Sequence, residues 1–247
     1  MTVFQNLLEH LAHQSANYLV LIDPDRKNDG RLEQLVQAVN ASGADGILVG
    51  GSLIMDGQFE QRVAQIKAAA QVPVILFPGG TTQLTQHVDA VLFMSLLSGR
   101  NPQFLISEQV QAAPIIKQLG LESVATGYLL LAGGGSTAVE FMSDTRPLPL
   151  DKPDLVVAHA LAAQYLGMSL VYLEAGSGAQ RSVPDEVVQA VTEAVDIPVM
   201  VGGGIRDPEA AAAKVRAGAK FVVTGTVAEK TGTPELLRAF AEAVHQG

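Results

Sequence analysis

Short apolar runs alternate with longer stretches of helical period along the whole chain, and the last three of these runs each lead into glycine. The chain has 247 residues, close to the roughly 250 that eight β/α units take. Together these observations predict an α/β fold, a single (β/α)8 TIM barrel over residues 1–247, with no linker to divide it.

Eight strands are expected, at 18–22, 46–49, 74–77, 90–94, 123–131, 170–173, 199–201 and 221–224. Helices are expected at 31–40, 59–69, 104–119, 155–166, 184–195, 208–217 and 234–244. Pro184, Pro208 and Pro234 suit a first helical turn, where a missing N–H costs nothing. Residues 78–89, which open Pro-Gly-Gly, are all that separates the third strand from the fourth, so the third helix is expected to be degenerate. Two readings of that gap stand side by side. The exposed flank is either an apolar groove able to take a long hydrocarbon, or a shortened connection covered by a loop or a second copy. Partial echoes between 42–51 and 217–225, and between 72–77 and 197–202, repeat the β/α unit without saying anything about function.

Composition narrows the function classes. Hydrophobic residues make up 48% and charged residues 17%, enough apolar material for a closed core and against disorder. The net charge of −9 comes without a Lys/Arg cluster, which argues against a nucleic-acid surface and a polybasic membrane patch. The absence of cysteine removes disulfides, thiolate chemistry and Cys-built zinc sites. The first ten residues are amphipathic, and no apolar run approaches ~18 residues, so the expectation is a cytoplasmic protein without stable membrane insertion.

The most informative stretch is Val171-Tyr172-Leu173-Glu174-Ala175-Gly176-Ser177-Gly178-Ala179. A strand delivers one acid, and the backbone then turns to small residues that let main-chain N–H groups approach an anion. An acid closing an apolar strand must be hydrogen-bonded or raised in pKa, which suits either a general base for a hydroxyl or a carboxylate that orients a loop or a diol. Gly202-Gly203-Gly204 and Gly225-Thr226 end the next two strands. One such turn is weak evidence; three in succession, late in a barrel, lie where such folds build a phosphate cup.

Asp23 ends the first strand in Asp23-Pro24-Asp25-Arg26-Lys27, where it could hold Mg²⁺ or simply satisfy a turn. Ser52, after Gly50-Gly51 on the second strand, could add a second oxygen or cap its own turn. The long turn 131–149 reads as a mobile cover over the mouth; Arg100 and Asn101 could partner a second phosphate or simply be solvated. The five histidines share no metal-ligand spacing.

Asp23-Pro24, Gly50-Gly51-Ser52, the run 95–102, Tyr172-Leu173-Glu174-Ala175-Gly176-Ser177-Gly178, Gly202 to Arg206 and Gly225-Thr226 resemble, in order, the motifs of the geranylgeranylglyceryl phosphate synthase family, which includes bacterial heptaprenylglyceryl phosphate synthases. The resemblance implies a modified TIM barrel with a short third helix. It also implies ether-bond formation between sn-glycerol 1-phosphate and a polyprenyl diphosphate, releasing diphosphate with Mg²⁺ as cofactor. By position, Asp23 and Ser52 resemble the metal residues and Glu174 the proposed base. Tyr172 to Gly178, with Gly203, Gly204, Gly225 and Thr226, resemble the glycerol phosphate site. Leu21 stands where part of the family has a phosphate-contacting Lys, leaving that charge to Arg26, Lys27 or amides alone. Leu-Leu-Ser-Gly replaces the family's Leu-Leu-Asn-Ser at 96–99.

Two other classes share the phosphate cup, a phosphosugar isomerase or lyase and a phosphate-binding protein without chemistry. The expected partners are the two small substrates, with no nucleic acid, and a homo-oligomer of two or more copies is expected from the apolar flank.

Overall fold

A computed structural model describes residues 1–247 as a closed barrel of eight parallel strands in sequence order. The strands are β1 (Asn17–Ile22), β2 (Gly46–Val49), β3 (Val74–Leu76), β4 (Ala90–Leu96), β5 (Glu122–Leu130), β6 (Leu170–Glu174), β7 (Val199–Gly202) and β8 (Phe221–Thr224), and β8 pairs back onto β1. All eight expected strands are present, with ends shifted by no more than two residues.

The period of two along each strand sorts side chains into two layers. In β6, Leu170, Tyr172 and Glu174 point into the barrel, while Val171 and Leu173 pack outward beneath the helices. The inner layer also holds Leu19, Leu48, Ile75, Leu92, Val124, Met200 and Phe221. The outer layer is the larger one, a 48-residue cluster between sheet and helices.

Ten helices surround or close the barrel: α1 (Val3–His10), α2 (Leu32–Asn40), α3 (Phe59–Ala69), α4 (Glu108–Leu119), α5 (Ala138–Ser143), α6 (Pro153–Tyr165), α7 (Asp185–Ala194), α8 (Pro208–Arg216), α9 (Thr226–Thr231) and α10 (Pro234–Gln246). Pro208 and Pro234 open their helices as expected, and Pro184 sits one place earlier, at the N-cap of α7. Three helices were not expected. α1 is nucleated by a capping box between Thr2 and Gln5, and Glu122 accepts the N–H groups of Val3 and Phe4. It plugs the N-terminal end of the barrel, stacking Phe4 on Phe221 with ring centroids 6.0 Å apart. α5 lies within the turn 131–149, where Thr137 caps its start, and α9 follows β8 directly.

The third connection holds only a 3-10 turn, Thr81–Gln83. The outer face of β4 that a helix would cover, Val91 and Phe93, instead lines an open cavity. On the single chain an apolar groove is open there and no loop of this chain covers it.

One buried guanidinium ties the loops after β1 and β2 together. Arg62 of α3 reaches Asp29 through Nε (2.6 Å) and Nη2 (3.0 Å), and Asp56 through Nη1 (2.7 Å) and Nη2 (2.9 Å). These paired contacts hold the Asp56 carboxyl down to about 2. The two stapled loops carry Asp23 and Ser52. Arg62→Met should lower the melting temperature by about 4 °C, measured by calorimetry, whereas removing an exposed ion pair such as Arg216–Glu209 should shift it by less than about 1 °C.

Candidate active site

Parallel closure delivers the C-terminal ends of all eight strands to one rim. There a cavity of about 810 Å³ is lined by Asp23, Ser52, Tyr172, Glu174, Ser177, Gly178, Gly203, Gly204, Gly225 and Thr226. It continues past Phe77 and Phe93 to Phe104, Ala112 and Ile116, an apolar arm over the side where the third helix is missing.

Glu174 ends β6 with 6% of its surface exposed. Its Oε1 accepts the N–H of Gly176 at 2.6 Å. Burial pushes the carboxyl above the usual carboxylate range, and the neighbouring Tyr172 hydroxyl and the Gly176 amide pull it partly back. That hydroxyl lies beside the carboxylate but makes no well-formed hydrogen bond there or elsewhere. Tyr128 meets Tyr172 edge to face, centroids 5.4 Å apart, and the Glu174 charge holds both phenols above their ordinary pKa after burial has done most of the lifting. The next strand leaves room for these groups. A methyl group on Gly202 would lie 2.5 Å from Tyr172 Oη and 2.7 Å from Glu174 Oε2, and one on Gly203 would lie 2.4 Å from Glu174 Oε1.

Five amide N–H groups on this rim, those of Ser177, Gly178, Gly203, Gly204 and Gly225, donate to no other group of the chain. Unpaired amides facing one cavity are anion donors, and no single one suffices to hold a phosphate. Gly176 is spoken for by Glu174. Leu173 and Ala175 point into the layer beneath the helices, so their side chains pack rather than line the cavity.

On the early side of the rim, Asp23 Oδ1 is buried without a partner and Oδ2 accepts Lys27 Nζ at 2.8 Å. Burial raises the Asp23 carboxyl and Lys27 opposes the rise. A Cβ at Gly51 would sit 3.0 Å from Asp23 Oδ1, so the loop carrying Ser52 abuts this carboxylate. One orphaned hard oxygen beside a hydroxyl-bearing loop suits Mg²⁺, which takes one or two protein oxygens and completes its shell with water and phosphate. No cluster of three acids or histidines competes with it.

Arg100 and Asn101 do not join the site. Arg100 Nη1 donates to the carbonyls of Leu97 and Gly99 in its own turn, and Asn101 Nδ2 donates to that of Ser143, bracing the turn 131–149. From that turn, Ala138, Val139, Met142 and Ser143 do reach the cavity.

Glu229 escaped the sequence reading. It arrives from α9, accepts the N–H of Asp23 at 3.0 Å and Asn28 Nδ2 at 2.9 Å, and pairs with Lys27 at 3.3 Å. No capping box announces it: α9 has Gly225 at its N-cap, without a side-chain cap, and the Glu229 carboxylate is taken by Asp23 and Asn28.

Fold and site define a barrel whose rim carries unpaired amides at one end of a cavity and an apolar groove at the other. Residues 10–244 match the PcrB family, and the chain belongs to it. Geranylgeranylglyceryl phosphate synthase of Chitinophaga pinensis is 39% identical, covering 98% of this chain and 96% of its own. That of Methanopyrus kandleri is 43% identical over 95% and 97%. The crystal structure of (S)-3-O-geranylgeranylglyceryl phosphate synthase from Thermoplasma acidophilum, in complex with sn-glycerol-1-phosphate, superposes with a TM-score of 0.93 at 36% identity and 99% coverage of both chains. Thiamine phosphate pyrophosphorylase from Pyrococcus furiosus, 14% identical with a TM-score of 0.61, shares the fold alone.

Because the folded Glu174 carboxyl is raised, the folded state holds its proton to higher pH than the unfolded chain does, and stability falls as pH rises through that interval. Glu174→Gln should remove this slope. The variant's melting temperature should equal the wild type's at low pH and exceed it increasingly toward neutral pH; a parallel pair of curves would contradict the assignment.

Proposed function

We propose that this chain is a prenyltransferase that joins sn-glycerol 1-phosphate to a polyprenyl diphosphate through an ether bond, releasing diphosphate. The observation that carries the reading is the cavity itself: five unpaired amides at one end, a buried carboxyl raised by burial in the middle and an apolar arm leading away. The similarity to the Thermoplasma acidophilum protein, which holds sn-glycerol-1-phosphate, supports it.

In this reading the amides of Ser177, Gly178, Gly203, Gly204 and Gly225 hold the phosphate monoester and fix the glycerol hydroxyls near Glu174. The prenyl tail lies along Phe93, Phe104, Ala112 and Ile116. The glycerol oxygen forms the new C–O bond to the first prenyl carbon as the bond from that carbon to diphosphate breaks, and the hydroxyl proton passes to Glu174. A base lifted by burial toward the working pH takes that proton more readily than an ordinary carboxylate. Held in place, the hydroxyl captures the developing allylic cation before water does. Asp23 and Ser52 would hold Mg²⁺, which neutralises the departing diphosphate.

No helix is long and apolar enough to cross a membrane; in this reading the chain works in the cytoplasm, where its phosphorylated substrates would enter by the open rim. Ile106, Val110, Phe141, Tyr165 and Leu166 are large apolar side chains left exposed on one molecule, which supports assembly into a homo-oligomer.

The test is incubation with Mg²⁺, sn-glycerol 1-phosphate and prenyl diphosphates of graded length, with diphosphate release and ether lipid both measured. Product with at least one donor is expected. Asp23→Ala should cut turnover by about 10²-fold or more while leaving sn-glycerol 1-phosphate binding within about threefold of wild type. Phosphosugar turnover without donor or metal would favour an isomerase or lyase instead.

A further inference from the structure

Lys27 occupies an unusual position for a half-exposed surface lysine. It stands on the 3-10 turn Arg26–Asn28 directly after β1, and its ammonium spans two acids that lie 206 residues apart in sequence: Asp23 Oδ2 at 2.8 Å and Glu229 Oε2 at 3.3 Å. Glu229 is anchored and the lysine is not. Glu229 is fixed by the Asp23 N–H and by Asn28, with 16% of its side chain exposed, and Arg31 holds its carbonyl. The Lys27 side chain is 53% exposed, and each of its polar contacts is to one of those two carboxylates. Asp23 meanwhile keeps Oδ1 buried and unpartnered. A single positive charge therefore sits on half of a carboxylate whose other half is empty, at the edge of a cavity built for phosphate.

An ammonium and a divalent cation on one carboxylate repel each other, and both are attracted by phosphate oxyanions. Resting on the prenyltransfer reading above, we propose that Lys27 is an exchangeable counter-ion. It neutralises Asp23 in the empty enzyme and moves to a phosphate oxyanion of an arriving substrate, which frees Asp23 for the cation, while Glu229 keeps the ammonium tethered to the rim. Leu21 is consistent with this, since it leaves Lys27 as the lysine beside the β1 end of the cavity.

The exchange has a signature that a merely structural lysine lacks: removing the charge should tighten metal binding and weaken anion binding. Mn²⁺, visible by electron paramagnetic resonance, is titrated into wild type, Lys27→Met and Lys27→Arg at neutral pH without phosphate. Inorganic diphosphate and sn-glycerol 1-phosphate are then titrated separately at saturating Mn²⁺. Lys27→Met should bind Mn²⁺ about fivefold more tightly and one of the two anions about fivefold more weakly, with Lys27→Arg near wild type in both. The anion that weakens identifies the ammonium's new partner. Unchanged or weaker Mn²⁺ binding in Lys27→Met, or tighter binding with neither anion affected, overturns the exchange and leaves the prenyltransfer reading standing. Failure of all three proteins to take up Mn²⁺ overturns the exchange together with the metal assignment beneath it.

Discussion

Parallel closure of the sheet is the constraint on which the rest of the molecule depends. Once β8 pairs with β1, every strand must end on the same rim, so residues as far apart as Asp23, Glu174, Gly203 and Gly225 converge without any specific contact between them. The pairing register refines this convergence. Glu174 stands opposite Gly202 across the β6–β7 ladder, and the missing side chain there is the space in which the carboxylate and the Tyr172 hydroxyl lie. The opposite end is closed by α1 and Phe4, so the barrel opens in one direction only.

The rim is also where the chain departs from the rule that buried polar groups find partners. Asp23 Oδ1, Tyr172 Oη and Gln109 Oε1 are its three buried side-chain atoms without a hydrogen bond, and all three belong to residues lining the one large cavity. An unpartnered buried group costs roughly 1–3 kcal/mol. Three of them together, beside five idle amides and a carboxylate lifted by burial, amount to local destabilisation confined to the place where a ligand could relieve it. Elsewhere the chain is well satisfied. Lys214, buried on α8, meets both the Val183 carbonyl and Asp185.

What the sequence made legible was whatever depends on local pattern. Strand ends, glycine turns and the truncated third unit are written in consecutive residues, and the structure has them all. Three helices were missed for the reason that makes them marginal. α5 and α9 span six residues each, too short to show a period, and α1 rests on a capping box and on Glu122 more than a hundred residues away. The site was half legible. Its glycines and its two principal acids stood at strand ends, but the Lys27–Glu229 pair and the Arg62 staple join separate loops that nothing in the linear order connects. Arg100 and Asn101 misled for the opposite reason: their chemistry suits phosphate, yet nearby carbonyls take up their donors.

The central claim is that one rim divides its work, with a cation on the early strands and a phosphate monoester on the late ones. A crystal structure with Mn²⁺, inorganic diphosphate and sn-glycerol 1-phosphate, the metal located by its anomalous scattering, tests this most directly. The account places the metal peak within bonding distance of Asp23 and the monoester on the amides of Gly203, Gly204 and Gly225. A metal bound at Glu174, or a monoester lodged against Asp23 with those amides still idle, would contradict it.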